Sequence, residues 1–153
     1  MLESLRNLIS ELAGGDKHPG RFENNDYRVA AAALMVHATT IDGAASAAEQ
    51  EKLRAVLKDR FHLDDAATDE LINSATQAEH EAVDLYRFTS LINRSVDEDG
   101  RRQIVEMMWE IIFADGRATE FEDNLMWRAA DLLGVSSRDR LAIRSRLAGG
   151  KIG

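Results

Sequence analysis

The 153-residue sequence contains no cysteine, which excludes disulfides, zinc–thiolate centres and cysteine nucleophiles. Proline is nearly absent as well. The single one, Pro19, lies near the N-terminus, and from Gly20 onward Ala, Leu, Glu and Arg dominate with nothing to forbid a helix. No segment alternates apolar and polar residues as a half-buried strand would. Long apolar runs are also missing: the longest uncharged stretch, Val29 to Ile41, is too short to span a bilayer and carries His37. The opening MLESLRNLISEL is interrupted by Glu3, Arg6 and Glu11, unlike the apolar core of a signal peptide. These absences lead to an expectation of an all-α, soluble, cytoplasmic protein without direct membrane insertion.

Net positive charge is lacking too. The balance of −8 would be repelled by a phosphate backbone, so nucleic acid is not an expected partner. From Arg138 to Lys151 the sign reverses locally to +4, leaving −12 for the rest of the chain. A basic final helix of this kind is either a docking face or a solvated one.

Leu2, Leu5, Leu8 (or Ile9) and Leu12 fall at helical spacing, and Gly14-Gly15 ends that stripe. Residues 1–25 therefore read as an N-terminal amphipathic helix and a linker. The polar face has no Lys/Arg excess for a membrane surface, so the helix is expected to pack on the body or on a second copy, as in a homodimer. Residues 26–148 read as one helical domain. Asp26 caps a helix to about Ile41 that is apolar almost all round. Ser46 and Glu49 form a capping box for the next helix, which has Leu53, Val56, Leu57 and Phe61 inside. Asp64 opens a third, and a fourth carries Leu85, Phe88 and Ile92. A fifth holds Ile104, Val105, Met108, Trp109, Ile111 and Ile112. Thr119 caps a sixth with Phe121, Leu125, Ala129, Leu132 and Leu133 along its stripe, and Ser136 caps a seventh with Leu141, Ile143 and Leu147. The innermost residues are expected to be Leu34, Ile41, Ile104, Trp109 and Ile112.

A repeat organises these helices. Asp42-Gly43-Ala44-Ala45-Ser46-Ala47-Ala48-Glu49 matches Asp115-Gly116-Arg117-Ala118-Thr119-Glu120-Phe121-Glu122 in the Asp, the Gly, the second Ala, the hydroxyl cap and the Glu. Each copy follows an apolar helix and precedes an amphipathic one. The expected architecture is two pseudo-symmetric three-helix repeats around two central buried helices, with the fourth helix as the bridge.

At AAALMVHATTIDGAASAAE, EAVDLYRFTSLINRS and VEMMWEIIFADGRATEFEDNLMWRAADLLGVS the sequence resembles the TerB-like (tellurite-resistance) family, and more its stand-alone branch than the tellurite operon protein. The resemblance covers nearly everything from Asp26 to Leu147. It implies a helical fold with two related halves, and a metal-linked or stress-linked role at acidic loop residues. In this sequence those positions are Asp42, Glu49, Asp115 and Glu122. Ala44, Ala45, Ala47 and Ala48 depart from an acidic-rich version of the first loop and add no ligand.

The residues themselves allow two accounts of these loops. A hard divalent cation takes carboxylates together with the free carbonyls of a helix end. Alternatively, Gly43 and Gly116 permit a left-handed helix stop, and Ser46/Glu49 and Thr119/Glu122 are capping boxes, which explains every shared residue except the Asp. Ser95-x-Asp97-x-Asp99-Gly100-x5-Glu106 has EF-hand spacing, but Ser95 replaces the first carboxylate and Ile104 and Val105 belong to a buried helix. An interhelical turn capped by Asp97 or Asp99 fits better. His18, His37, His62 and His80 make no metal or di-iron pair. His37 reads as a core or boundary histidine held by a neighbour, and His80 and Asp84, one turn apart, read as a surface hydrogen bond. Trp109, Trp127, Met107, Met108, Met126 and Phe113 read as core, or in part as an exposed apolar groove for a partner helix. With no nucleophile elbow or phosphate loop, the expectation is a non-enzymatic module that binds a protein partner and needs no cofactor. Its rival is a divalent-metal-binding stress module.

Overall fold

Local capping chemistry sets six of the seven described helix starts. In a computed structural model that describes residues 22–152 apart from Asn24 and Asp42, the helices are α1 (Tyr27–Thr40), α2 (Ala47–Arg60), α3 (Asp65–Glu81), α4 (Tyr86–Ser95), α5 (Glu98–Ile112), α6 (Glu120–Leu132) and α7 (Ser137–Ile152). The N-terminal helix expected over residues 1–12 lies outside the described residues, as do the side chains of Asp115 and of residues 149–152. Asp26, Ser46, Asp64, Asp97, Thr119 and Ser136 each accept a first-turn backbone N–H on a side-chain oxygen. At the start of α4, Leu85 offers no such oxygen, and the Asp84 carboxylate accepts the Tyr86 N–H at 3.0 Å instead.

Burial opposes ionisation of Asp26, but hydrogen bonds from the Arg28 side chain and backbone, and the Arg28 charge, outweigh it and hold the carboxyl below its ordinary value. Arg28 also lies over the Phe22 ring, with its guanidinium carbon 4.7 Å from the centroid, which fastens the chain entering α1.

α1 and α5 form the centre. Ala30, Ala31, Ala32 and Ala33 are buried in succession, and at 100° per residue four consecutive positions go most of the way round a helix. α1 packs on α2, α3, α4 and α5, and its small side chains let these neighbours come close. α5 buries Ile104, Val105, Met107, Met108, Trp109, Ile111 and Ile112, and packs on α1, α2, α6 and α7. α4 packs on α1 and on α6.

The halves share local features. In each, an apolar helix ends at a positive-φ glycine, a capping-box helix follows, and the first and third helices pack together, α1 on α3 and α5 on α7. The second half departs in one respect: a 3-10 turn, Phe113–Asp115, separates α5 from its glycine.

Three expectations about the core need correction. Ile41 is only partly buried, because it is the C-cap of α1 and lies at the mouth of a cleft. Phe121 is 60% exposed, because it sits in the first turn of α6, on the wall of that same cleft. Leu141 is also exposed, whereas Ile143 on the same helix is buried. Leu34, Ile104, Trp109 and Ile112 are buried as expected.

Candidate functional site

The two acidic loops are built alike. Gly43 has φ +135° and donates its N–H to the Thr40 carbonyl at 3.1 Å; Gly116 has φ +105° and donates to the Phe113 carbonyl at 3.0 Å. A Cβ would meet nothing at either position, so it is the backbone angle and not space that calls for glycine. Beyond each glycine the capping box is complete. The Ser46 N–H donates to Glu49 Oε1 at 3.0 Å and the Glu49 N–H to Ser46 Oγ at 3.0 Å. In the second loop the Thr119 N–H donates to Glu122 Oε1 at 2.8 Å and the Glu122 N–H to Thr119 Oγ1 at 3.1 Å.

Glu49 and Glu122 are 5% and 2% exposed, which is unusual for a carboxylate and is accommodated by these N–H donors and the positive end of the helix dipole. Of the four ligand positions, the structure thus places Glu49 and Glu122 each in its own capping box. Asp42 and the Asp115 side chain lie outside the described residues. Among the described residues no group of three or more His, Asp or Glu side chains is arranged to hold a metal ion.

The EF-hand spacing resolves as a turn. Asp97 Oδ1 accepts the Gly100 N–H at 2.9 Å, α5 is under way by Glu98, and Asp99 binds Arg102 and Gln103 on the same helix. His37 is a boundary residue, its Nδ1 3.0 Å from Glu79 Oε2 on α3. The expected His80–Asp84 pairing gives way to the role of Asp84 at the start of α4.

Part of the basic α7 face is turned inward. Arg144 Nε and an Nη donate to both oxygens of Asp123 at 2.8 and 3.1 Å, and its guanidinium lies 5.3 Å from the Trp109 ring and 5.5 Å from Phe113. Arg146 and Arg60 meet Glu106 at 2.8 and 3.6 Å, and Arg60 also meets Glu110 at 2.8 Å, so α2, α5 and α7 share one ionic seam. Sequence reasoning missed this seam, because partners 40 to 50 residues apart leave no local signal.

Two clefts open between these elements. One, of about 590 Å³, lies between α2, the end of α5 and α7; Glu51, Lys52 and Glu110 line it beside Phe113 and Leu147. The other, of about 320 Å³, lies between the end of α1, the α3–α4 connection and α6. Its floor is Leu85 and Leu125, both buried, and its walls carry Ile41, Val83 and Phe121, with His37, Asp84 and Arg128 around them. Val83 is 99% exposed and Phe121 60%, so two bare apolar side chains stand at a cleft that is also lined by the buried Leu85 and Leu125. Trp127, expected with the core cluster, is exposed on α6, while Trp109, Met107, Met108, Met126 and Phe113 are buried.

No helix among the described residues is long and apolar enough to cross a membrane. A family model described as tellurite resistance protein TerB matches residues 28–145, most of the chain. No curated protein and no solved structure matches it.

Proposed function

This chain belongs to the tellurite resistance protein TerB family, and from that premise we propose that it is a non-enzymatic helical interaction module of a bacterial stress response, binding a protein partner through the smaller cleft. The observation that carries this reading is the exposure of Phe121 and Val83 over the apolar floor of Leu85 and Leu125. An apolar centre with charged groups at its edge, here Asp84 and Arg128, is the usual composition of a protein-binding patch. Both exposed side chains can be changed without disturbing the core. Phe121→Asp is expected to leave the melting temperature near that of the unaltered protein and to weaken co-purification of a cytoplasmic partner by about tenfold or more. Undiminished co-purification would remove the cleft as the docking face.

The alternative is a divalent-metal-binding stress module using Asp42, Glu49, Asp115 and Glu122, favoured by the recurrence of an Asp at the end of each central helix. Neither capping box uses these Asp residues. A carboxylate at a helix C-terminus meets the negative end of the dipole. Replacing Asp42 and Asp115 together by Asn is therefore expected to be neutral or slightly stabilising in a thermal melt. If a cation binds, the same double change lowers the melting temperature in calcium or magnesium but not in chelator, since a ligand stabilises only the state that binds it.

A further inference from the structure

We propose that the outer face of α6 and α7 docks a second copy of the chain, pairing the two copies about a twofold axis. This face lies on a different side of α6 from the partner cleft. Glu120, Trp127 and Asp131 recur at i, i+7 and i+11 and so form one stripe, while Phe121 is about 120° round the helix from Trp127. Trp127 is 56% exposed, and beyond the short α6–α7 connection Leu141 is 51% exposed. The Arg144–Asp123 bond fixes how the two helices lie together. Trp127 is one turn from Asp123 and Leu141 one turn from Arg144, each toward the connection, so both bare side chains belong to the face that this bond spans. Tryptophan and arginine are among the residues most enriched at interface centres.

Charge selects the occupant. The face is acidic on α6, through Glu120 and Asp131, and basic on α7, through Arg138 and Arg140, and none of the four has an ion pair among the described residues. A twofold axis sets α6 of one copy against α7 of the other and repeats that contact symmetrically, so each acidic helix meets a basic one. A partner of a single sign, such as an anionic lipid surface, would be repelled by one of the two helices. The size of the face sets the strength of pairing. α6 has 13 residues and is about 20 Å long, and two packed helices are about 20 Å wide, which gives about 400 Å² per copy and about 800 Å² for the pair. That is about half of a standard interface, so the copies join and separate with concentration. The stripe excludes Phe121, and the smaller cleft stays open on each copy.

The chain has two tryptophans and Trp109 is completely buried, so quenching by acrylamide reads Trp127. In the full-length chain, the sedimenting mass is expected to move from one copy to two as concentration rises from about 1 µM to about 1 mM, the range of weak affinities. Quenching should fall severalfold over the same range, and Leu141→Glu should hold the chain at one copy. Arg138→Glu with Arg140→Glu makes both helices acidic, and Glu120→Arg with Asp131→Arg makes both basic. Each of these variants alone should stay at one copy, and an equimolar mixture of the two should pair. All five side chains are at least partly exposed, so the core is left as it is. One-copy mass at the highest concentration overturns the proposal. So does pairing that Leu141→Glu leaves intact, or a mixture that pairs no better than its components. A one-copy chain whose Trp127 emission shifts with phosphatidylserine vesicles overturns it in favour of a lipid surface.

Discussion

Trp109→Ala is expected to destabilise the protein by about 3–5 kcal/mol, a large share of the roughly 5–15 kcal/mol that holds a typical domain together. Trp109 is fully buried on α5, and its ring stacks on Phe113 with centroids 5.4 Å apart. Arg144 lies across both rings while both oxygens of Asp123 hold its guanidinium. Truncation would leave a void between α5 and α7 and remove one of the two surfaces on which Arg144 rests. The midpoint of urea unfolding measures the loss. Trp109→Phe is the informative companion. The indole Nε1 is buried without a hydrogen-bond partner among the described residues, so replacing it removes an unsatisfied donor along with some packing. The Phe variant should recover most of the loss. Equal damage from both would mean that ring size, and not the stack, governs this site.

Leu34→Ala is the second large effect, at about 2–5 kcal/mol. Leu34 is completely buried on α1, the helix that four others surround. On its own face of the helix, Ala30, Ala31 and Ala38 offer no long side chain to move into the space. Ile41→Ala, at the exposed end of the same helix, should cost roughly half as much or less, because part of its surface is already in water. Near-equal losses would show that the centre of α1 collapses around the deletion, and a Leu34→Ala loss well below 1 kcal/mol would contradict its central position.

The contrast between Leu34 and Ile41 also marks what the sequence made legible. Capping depends on residues within one turn of each other, and Asp26, Ser46, Asp64, Thr119 and Ser136 could be assigned from sequence alone, whereas the choice between Asp97 and Asp99 at the start of α5 was left to the structure. The centrality of α1 and α5 was equally readable, since a helix without a polar side has only one place to go. Periodicity gives the face of a helix but not how far along its axis a neighbour extends. Ile41 and Phe121 lie on correct apolar stripes, yet at helix ends where cover stops. The cleft those two residues line was therefore invisible as a place, although Ile41, Leu85, Phe121 and Leu125 were each identified as apolar. The seam of Arg60, Glu106, Glu110 and Arg146 was invisible for a different reason. Charge pairing across three helices follows from tertiary packing, and nothing in the local order of residues announces it.

The position of α1 bears on how the chain becomes folded. Residues 27–81 make up the first half, but α1 packs on α4 and α5 as well as on its own α2 and α3. A nascent first half would leave the far side of its alanine-rich helix in water, and this helix has no polar face to turn outward. The sequence repeat is consequently not expected to be a unit of cooperativity: the two halves should unfold in one transition, with amide protection in α1 and α5 rising to the global value together.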